Sequence, residues 1–186
     1  MVHESKLVES NQESIFDLRL SELVAGDREQ EWLDSAEDVP DILWVKVKDL
    51  PLDMSLRTVL EKVKKELFLI YGGKKDQGKS FSDSRFTPIN EMIERGMVSC
   101  GAMSNIFSAV LRKYGIAIKL VHGILSGQDP NGTHRHGWLE VYDPISSSWS
   151  EIDPTTRDFR KRNDAIRRKV YHSWSALKPD FERGEY

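Results

Sequence analysis

The sequence predicts an α+β domain: several helices, the last carrying a cysteine in its first turn, followed by short strands that form an antiparallel sheet. Two observations lead to this. Apolar residues recur at helical spacing from Leu56 to Ile70 and again from Cys100 to Tyr114, which is the signature of helices with one buried face. After Gly115 the pattern changes to short β-rich runs separated by turn-rich segments. The chain of 186 residues is 39% hydrophobic and holds five tryptophans, enough for one substantial core.

Taken in order, residues 1–41 hold twelve acidic against three basic side chains and read as an acidic arm or short helices preceding a domain over 42–186. Apolar positions there are Ile15, Leu18, Leu20, Leu23 and Val24. Ile42, Leu43, Trp44, Val45 and Val47 form a β-favourable run, expected as a strand or an extended segment over the core. The helix from Leu56 has Asp53 or Ser55 to cap its start and Gly72-Gly73 to stop it. Residues 72–86, rich in Gly, Lys, Ser and Asp, read as an exposed loop. Thr87-Pro88 reads as an N-cap with proline at the first helical position, leading a short helix that ends at Gly96.

Cys100, Met103, Ile106, Phe107, Val110, Leu111 and Tyr114 then share one helix face, with Ser99 as cap and Gly115 suited to the left-handed stop. Strands are expected over 116–125, 137–142 and 149–152. The segment Arg157 to Lys169 holds seven basic against two acidic residues and reads as a solvated helix face.

Composition also excludes some classes. A formal net charge of −3 argues against nucleic-acid binding by bulk charge. No segment approaches the roughly 20 apolar residues needed to span a bilayer, and the N-terminus lacks a secretory apolar run. The expectation is a cytoplasmic protein with no membrane or nucleic-acid partner. Asn131-Gly132-Thr133 fits a glycosylation sequon, which matters only in a secreted protein. Cys100 is the only cysteine, so an intramolecular disulfide and the multi-cysteine zinc sites are ruled out. His134 and His136 with Asp153 or His122 offer the ingredients of a metal site, but no HExxH helix accompanies them. No metal or other cofactor is expected.

The chemistry centres on Cys100. A thiol attacks as its thiolate, and the first turn of a helix favours that anion through its unpaired N–H groups and dipole. Taken alone, a single cysteine on an apolar face is more simply a small buried hydrophobe. Downstream residues change that balance. His136 begins one expected strand and Asp153 ends the next, so an antiparallel pair joined by a short turn brings them together although 17 positions apart. A carboxylate on one imidazole nitrogen would fix the tautomer and leave the other facing the thiol.

Ser99-Cys100-Gly101, the helix through Leu111-Arg112-Lys113-Tyr114-Gly115-Ile116, Lys119-Leu120-Val121-His122-Gly123, His136-Gly137-Trp138-Leu139-Glu140-Val141, and Trp149 with Asp153-Pro154-Thr155 resemble the core of the transglutaminase-like superfamily, in its usual order. The resemblance spans about residues 90–156. It implies a papain-like thiol fold with Cys100, His136 and Asp153 as nucleophile, base and orienting acid, and a peptide or protein substrate. Transglutaminases proper place a tryptophan beside the oxyanion and papain-like proteases a glutamine shortly before the cysteine. Here Glu94 lies six positions upstream and the nearest upstream tryptophan is Trp44, so neither part is assigned. The peptide:N-glycanases share the Cys-Gly and His-x-Trp pattern but carry paired zinc cysteines that this chain lacks.

Three functions remain open at this level: a thiol amide hydrolase or protease, a protein-glutamine acyltransferase, and a catalytically silent peptide-binding module. Hydrolysis is expected over transfer, because water is abundant and a transferase must build a dry site for its amine.

Overall fold

A computed structural model describes residues 15–33, 38–76, 85–126 and 135–183. His3, His134 and the Asn131–Thr133 sequon lie outside them. Among the described residues, two 3₁₀ turns, Leu20–Glu22 and Asp27–Trp32, precede helices α1 (Asp41–Val47), α2 (Leu56–Tyr71), α3 (Ile89–Arg95) and α4 (Cys100–Lys113). Strands β1 (Ile118–Leu125), β2 (Arg135–Asp143), β3 (Ser148–Ile152) and β4 (Ala165–Tyr171) follow, and helix α5 (Trp174–Arg183) comes last. The sheet order is β3-β2-β1-β4, with every neighbouring pair antiparallel. No helix among the described residues is long and apolar enough to cross a membrane.

The two main helices form where their apolar stripes and caps place them. Ser55 caps α2 by accepting from the Thr58 N–H at 3.4 Å, and Gly72 ends it in the left-handed region at φ 55°. Its buried face is Leu56, Val59, Leu60, Val63, Leu67 and Tyr71, each large side chain contributing on the order of 1.5–3 kcal/mol by leaving water. Tyr71 also donates its hydroxyl to the Met97 carbonyl at 2.8 Å. The short α3 starts one residue later than expected, with Pro88 at the cap, and ends at Gly96 with φ 68°.

Helix α4 is the centre of the molecule. Ser99 caps it and every residue from Gly101 to Arg112 is buried, and the helix packs against β1, β2 and α3. Arg112 is a buried cation near its C-terminus. The guanidinium donates to the carbonyls of Trp32 (2.9 Å), Ile118 (2.6 Å) and His172 (2.6 Å). Those bonds offset its desolvation and tie the helix end to three other segments.

Two elements differ from the sequence expectation. The run at 42–47 is helix α1 rather than a strand. Leu43 and Val47 are fully buried, whereas Ile42 and Val45 are 56% and 54% exposed. A strand would have buried 43, 45 and 47 together; the i, i+4 pair is a helix face, started by Pro40 and acidic Asp41. The basic segment is not a helix face either. Residues 165–171 form β4, which pairs with β1 across a register shift between His122 and Gly123.

The acidic N-terminal region contributes to the same core as the helices. Ile15, Phe16, Leu20 and Leu23 are all at most 1% exposed and belong to the main apolar cluster. Backbone bridges join Arg19 to Ser55 and Val24 to Ile116.

Candidate active site

Cys100 is the first residue of α4 and is partly exposed. Ser99 supplies the cap: its hydroxyl accepts from the Ala102 N–H at 3.4 Å, and its carbonyl receives the Met103 N–H at 2.9 Å. This fixes the first turn, so the thiol sits among the N–H groups and the positive dipole end that such a turn presents.

His136 comes from the start of β2. One residue on, the Gly137 carbonyl accepts from Ser104 Oγ at 3.2 Å, which locks β2 against the first turn and a half of α4. The β2/β3 register pairs Leu139 with Ile152. The chain leaving β3 therefore passes beside His136, and Asp153 is the next residue.

The contact is tight: His136 Nε2 lies 2.6 Å from Asp153 Oδ2, with both side chains buried. Asp153 is held in turn. Its second oxygen, Oδ1, accepts from the Thr155 N–H (2.9 Å) and the Thr155 hydroxyl (2.6 Å). Its own N–H donates to the Phe159 carbonyl at 2.7 Å. From the far side, Lys64 of α2 donates to the carbonyls of Pro154 and Thr156, each at 2.8 Å. An ionised carboxylate on Nε2 makes that nitrogen the proton donor, which leaves Nδ1 for the thiol.

Cys100 and His136 act on each other's ionisation. Burial pushes the thiol up, but the bond to His136, the charges of Arg85 and His136, and a bond from the Gly137 backbone outweigh it and bring it down to about 7. Burial pulls the imidazole down, and the hydrogen bonds and charges of Asp153 and Cys100 overcome that and raise it to about 9. The two groups thus favour a thiolate–imidazolium pair.

Trp138 is fully buried and lies over His136, ring centroids 5.9 Å apart and planes 26° from parallel. Its Nε1 donates to Glu151 Oε1 at 3.0 Å, and Glu151 pairs with Lys161 at 2.7 Å. Gly123 of β1 lies directly beneath: a Cβ there would stand 2.5 Å from Trp138 Cη2 and 2.3 Å from the Ile166 carbonyl oxygen.

Cys100, His136 and Asp153, the three residues singled out from sequence, are thus brought together. His122 is buried within β1, paired across the sheet with Gly137 and Lys169. His172 stacks on Trp32 at 4.0 Å. No group of three or more His, Cys, Asp or Glu side chains among the described residues is placed so that it could hold a metal ion.

Arg85 and Lys64 were not foreseen. Arg85 falls at the end of a segment expected to be an exposed loop, yet it is 2% exposed, with its Nη2 3.7 Å from Cys100 Sγ. No local pattern marks one arginine in a polar segment as the buried one. Lys64 sits at the polar edge of the α2 stripe, where a lysine ordinarily reads as solvated.

A profile of the transglutaminase-like superfamily matches residues 57–154, just over half of the chain. No curated protein sequence matches. Among solved structures, one similar fold is a protein from Cytophaga hutchinsonii proposed to be a cysteine protease. It is 13% identical, with a TM-score of 0.58, and the match covers 88% of this chain and 53% of that one. Another is the periplasmic domain of TgpA from Pseudomonas aeruginosa, 18% identical with a TM-score of 0.43, covering 70% of this chain and 48% of that one. The chain thus spans about half the length of each. The profile match takes in α2 from its second residue, all of α3, α4, β1, β2 and β3, and Asp153 and Pro154 after β3, and by it the chain belongs to the transglutaminase-like superfamily.

Proposed function

We propose that this protein is a thiol-dependent amide or peptide hydrolase acting through an acyl-enzyme, with Cys100 as nucleophile, His136 as general acid and base, and Asp153 as the group that orients and charges the imidazole. The observation that supports this reading is the buried 2.6 Å bond between His136 Nε2 and Asp153, which leaves the other ring nitrogen available to the thiol.

The chemistry runs as follows. The Cys100 thiolate adds to an amide carbonyl carbon, and the negative charge passes to the carbonyl oxygen, where first-turn N–H groups of α4 favour it. The imidazolium gives its Nδ1 proton to the departing amine as the C–N bond breaks, leaving a thioester on Cys100. Neutral His136 then takes a proton from water as the water oxygen adds to the thioester. The C–S bond breaks, the acid leaves, and thiolate and imidazolium are regenerated. Asp153 stabilises the imidazolium at both ends of the cycle without taking a proton itself.

The test is product analysis by mass spectrometry after incubation with a peptide library, with and without an added primary amine. Backbone cleavage or a one-dalton gain at glutamine or asparagine is the expected class of result. Incorporation of the amine would make the protein an acyltransferase instead. Cys100→Ala abolishes either activity; full activity in that variant removes the thiol reading and leaves a peptide-binding module.

A further inference from the structure

We propose that Arg85 is a second cation of the thiol site, one that holds the Cys100 sulfur in its anionic state together with His136 and independently of it. This rests on the reading of Cys100 as the nucleophile and adds to it a residue that touches the reacting atom.

The geometry is specific. Arg85 Nη2 lies 3.7 Å from Cys100 Sγ, within the range of an N–H···S hydrogen bond, and the guanidinium is 2% exposed. A buried guanidinium is costly unless its charge meets an anion. The Cys100 thiolate is an anion within its reach. The residue is also placed by the helix it serves: Asn105 of α4, itself 4% exposed, donates Nδ2 to the Arg85 carbonyl at 3.3 Å. Nucleophile and cation are therefore referenced to the same helix, about one turn and a half apart.

The other charges around the pair act in known directions. Arg135, at the start of β2, repels Arg85, which makes a neighbouring anion more favourable. His136 faces the thiol from β2, and Asp153 and Asp164 act on His136. Asp153 in turn feels Lys64 and Arg162. Of the groups that act directly on Cys100, His136 titrates in the working range and Arg85 does not, because a guanidinium stays charged throughout it.

That difference gives Arg85 a function His136 cannot perform. The imidazolium gives up its proton on the alkaline side of its titration, so a thiolate supported by histidine alone loses its counter-charge there. A fixed guanidinium keeps the sulfur a good nucleophile and, in the second half, a good leaving group.

The experiment is a pH titration of Cys100 in the full chain by ultraviolet thiolate absorbance, checked by iodoacetamide alkylation rates, for wild type, Arg85→Met, Arg85→Lys, His136→Ala and the Arg85→Met/His136→Ala pair. Since there is one cysteine in the chain, the signal is unambiguous. Wild type titrates near 7. Arg85→Met, folded by circular dichroism, shifts that value up by about one unit or more, a tenfold loss of thiolate on the acid side. Arg85→Lys retains most of the depression. His136→Ala, which keeps Arg85, titrates below the ordinary thiol value of about 8.5, and the double variant returns to it or above.

An unchanged titration in folded Arg85→Met overturns the proposal. So does His136→Ala titrating at the ordinary value by itself, a result that does not depend on whether Arg85→Met folds. A wild-type protein with an ordinary thiol titration would instead remove the nucleophile reading, so the two failures are distinguishable.

Discussion

Gly123→Ala tests whether the sheet and the site are mechanically one object. The added Cβ would lie 2.3 Å from the Ile166 carbonyl oxygen on β4 and 2.5 and 2.6 Å from two ring atoms of Trp138. An ordinary contact is about 3.5 Å, so something must move by roughly 1 Å. Neither neighbour is loose. Ile166 pairs with Ile124 in the β1/β4 ladder, and Trp138 is fully buried, tied to Glu151 and stacked over His136.

Overpacking of this kind costs about 1–3 kcal/mol where side chains can yield, and the involvement of backbone puts the expectation at the upper end. Urea denaturation should show a lower midpoint with an unchanged slope. If relief comes through the Trp138 ring, which leans on the imidazole, peptide hydrolysis and Cys100 alkylation fall as well in the remaining folded protein. Gly26→Ala is the control: its Cβ would meet only Glu29 Oε2 at 3.5 Å, so a change within about 0.5 kcal/mol is expected. Equal stability of Gly123→Ala and wild type, to within that margin, would refute the reasoning.

Three further outcomes follow from the site and its supports. Activity against pH should be bell-shaped: it rises through about 7 as Cys100 loses its proton and falls through about 9 as His136 loses its own, read as kcat/KM in the free enzyme. In Asp153→Asn, the two donors from Thr155 retain the amide oxygen, so the amide NH₂ faces His136 Nε2 and demands an acceptor there. The wrong tautomer results, and kcat should drop by about 10³–10⁴-fold with little change in thermal midpoint. Tyr71→Phe leaves the Met97 carbonyl without its 2.8 Å donor inside the core, and urea denaturation should show a loss of about 1–2 kcal/mol with activity retained.

How much of this was legible depends on whether a signal was local. Helix α4 was fully readable, because a serine cap, an unbroken apolar stripe and a terminal glycine all agree over 17 residues from Ser99 to Gly115. The pairing of His136 with Asp153 could be foreseen because a strand, a short turn and a strand have only one simple way to close. Helix α1 was misread because composition was weighed above spacing: four β-favouring side chains concealed a two-residue buried face, Leu43 and Val47. Strand β4 was hidden by charge, since Arg167-Arg168-Lys169 gives an edge strand the polarity of a solvated helix. Arg85 lay beyond sequence reasoning for a different reason. Its role comes from a contact 15 positions away, and nothing in the intervening residues encodes it.

The reach of Lys64 carries a consequence in time rather than space. The turn behind Asp153 is held by a side chain 90 and 92 positions earlier, and the sheet that carries His136 is completed by a strand ending at Tyr171. As the chain emerges from the ribosome, Cys100 is made well before His136 and Asp153. Contacts of such separation form late, after loop closure has been met by the rest of the fold. Until then the thiol is an ordinary one, nearly inert at neutral pH. Lys64 waits through about half of the chain's length for its two carbonyls, and on the proposed function the nucleophile becomes reactive only when the architecture around it is whole.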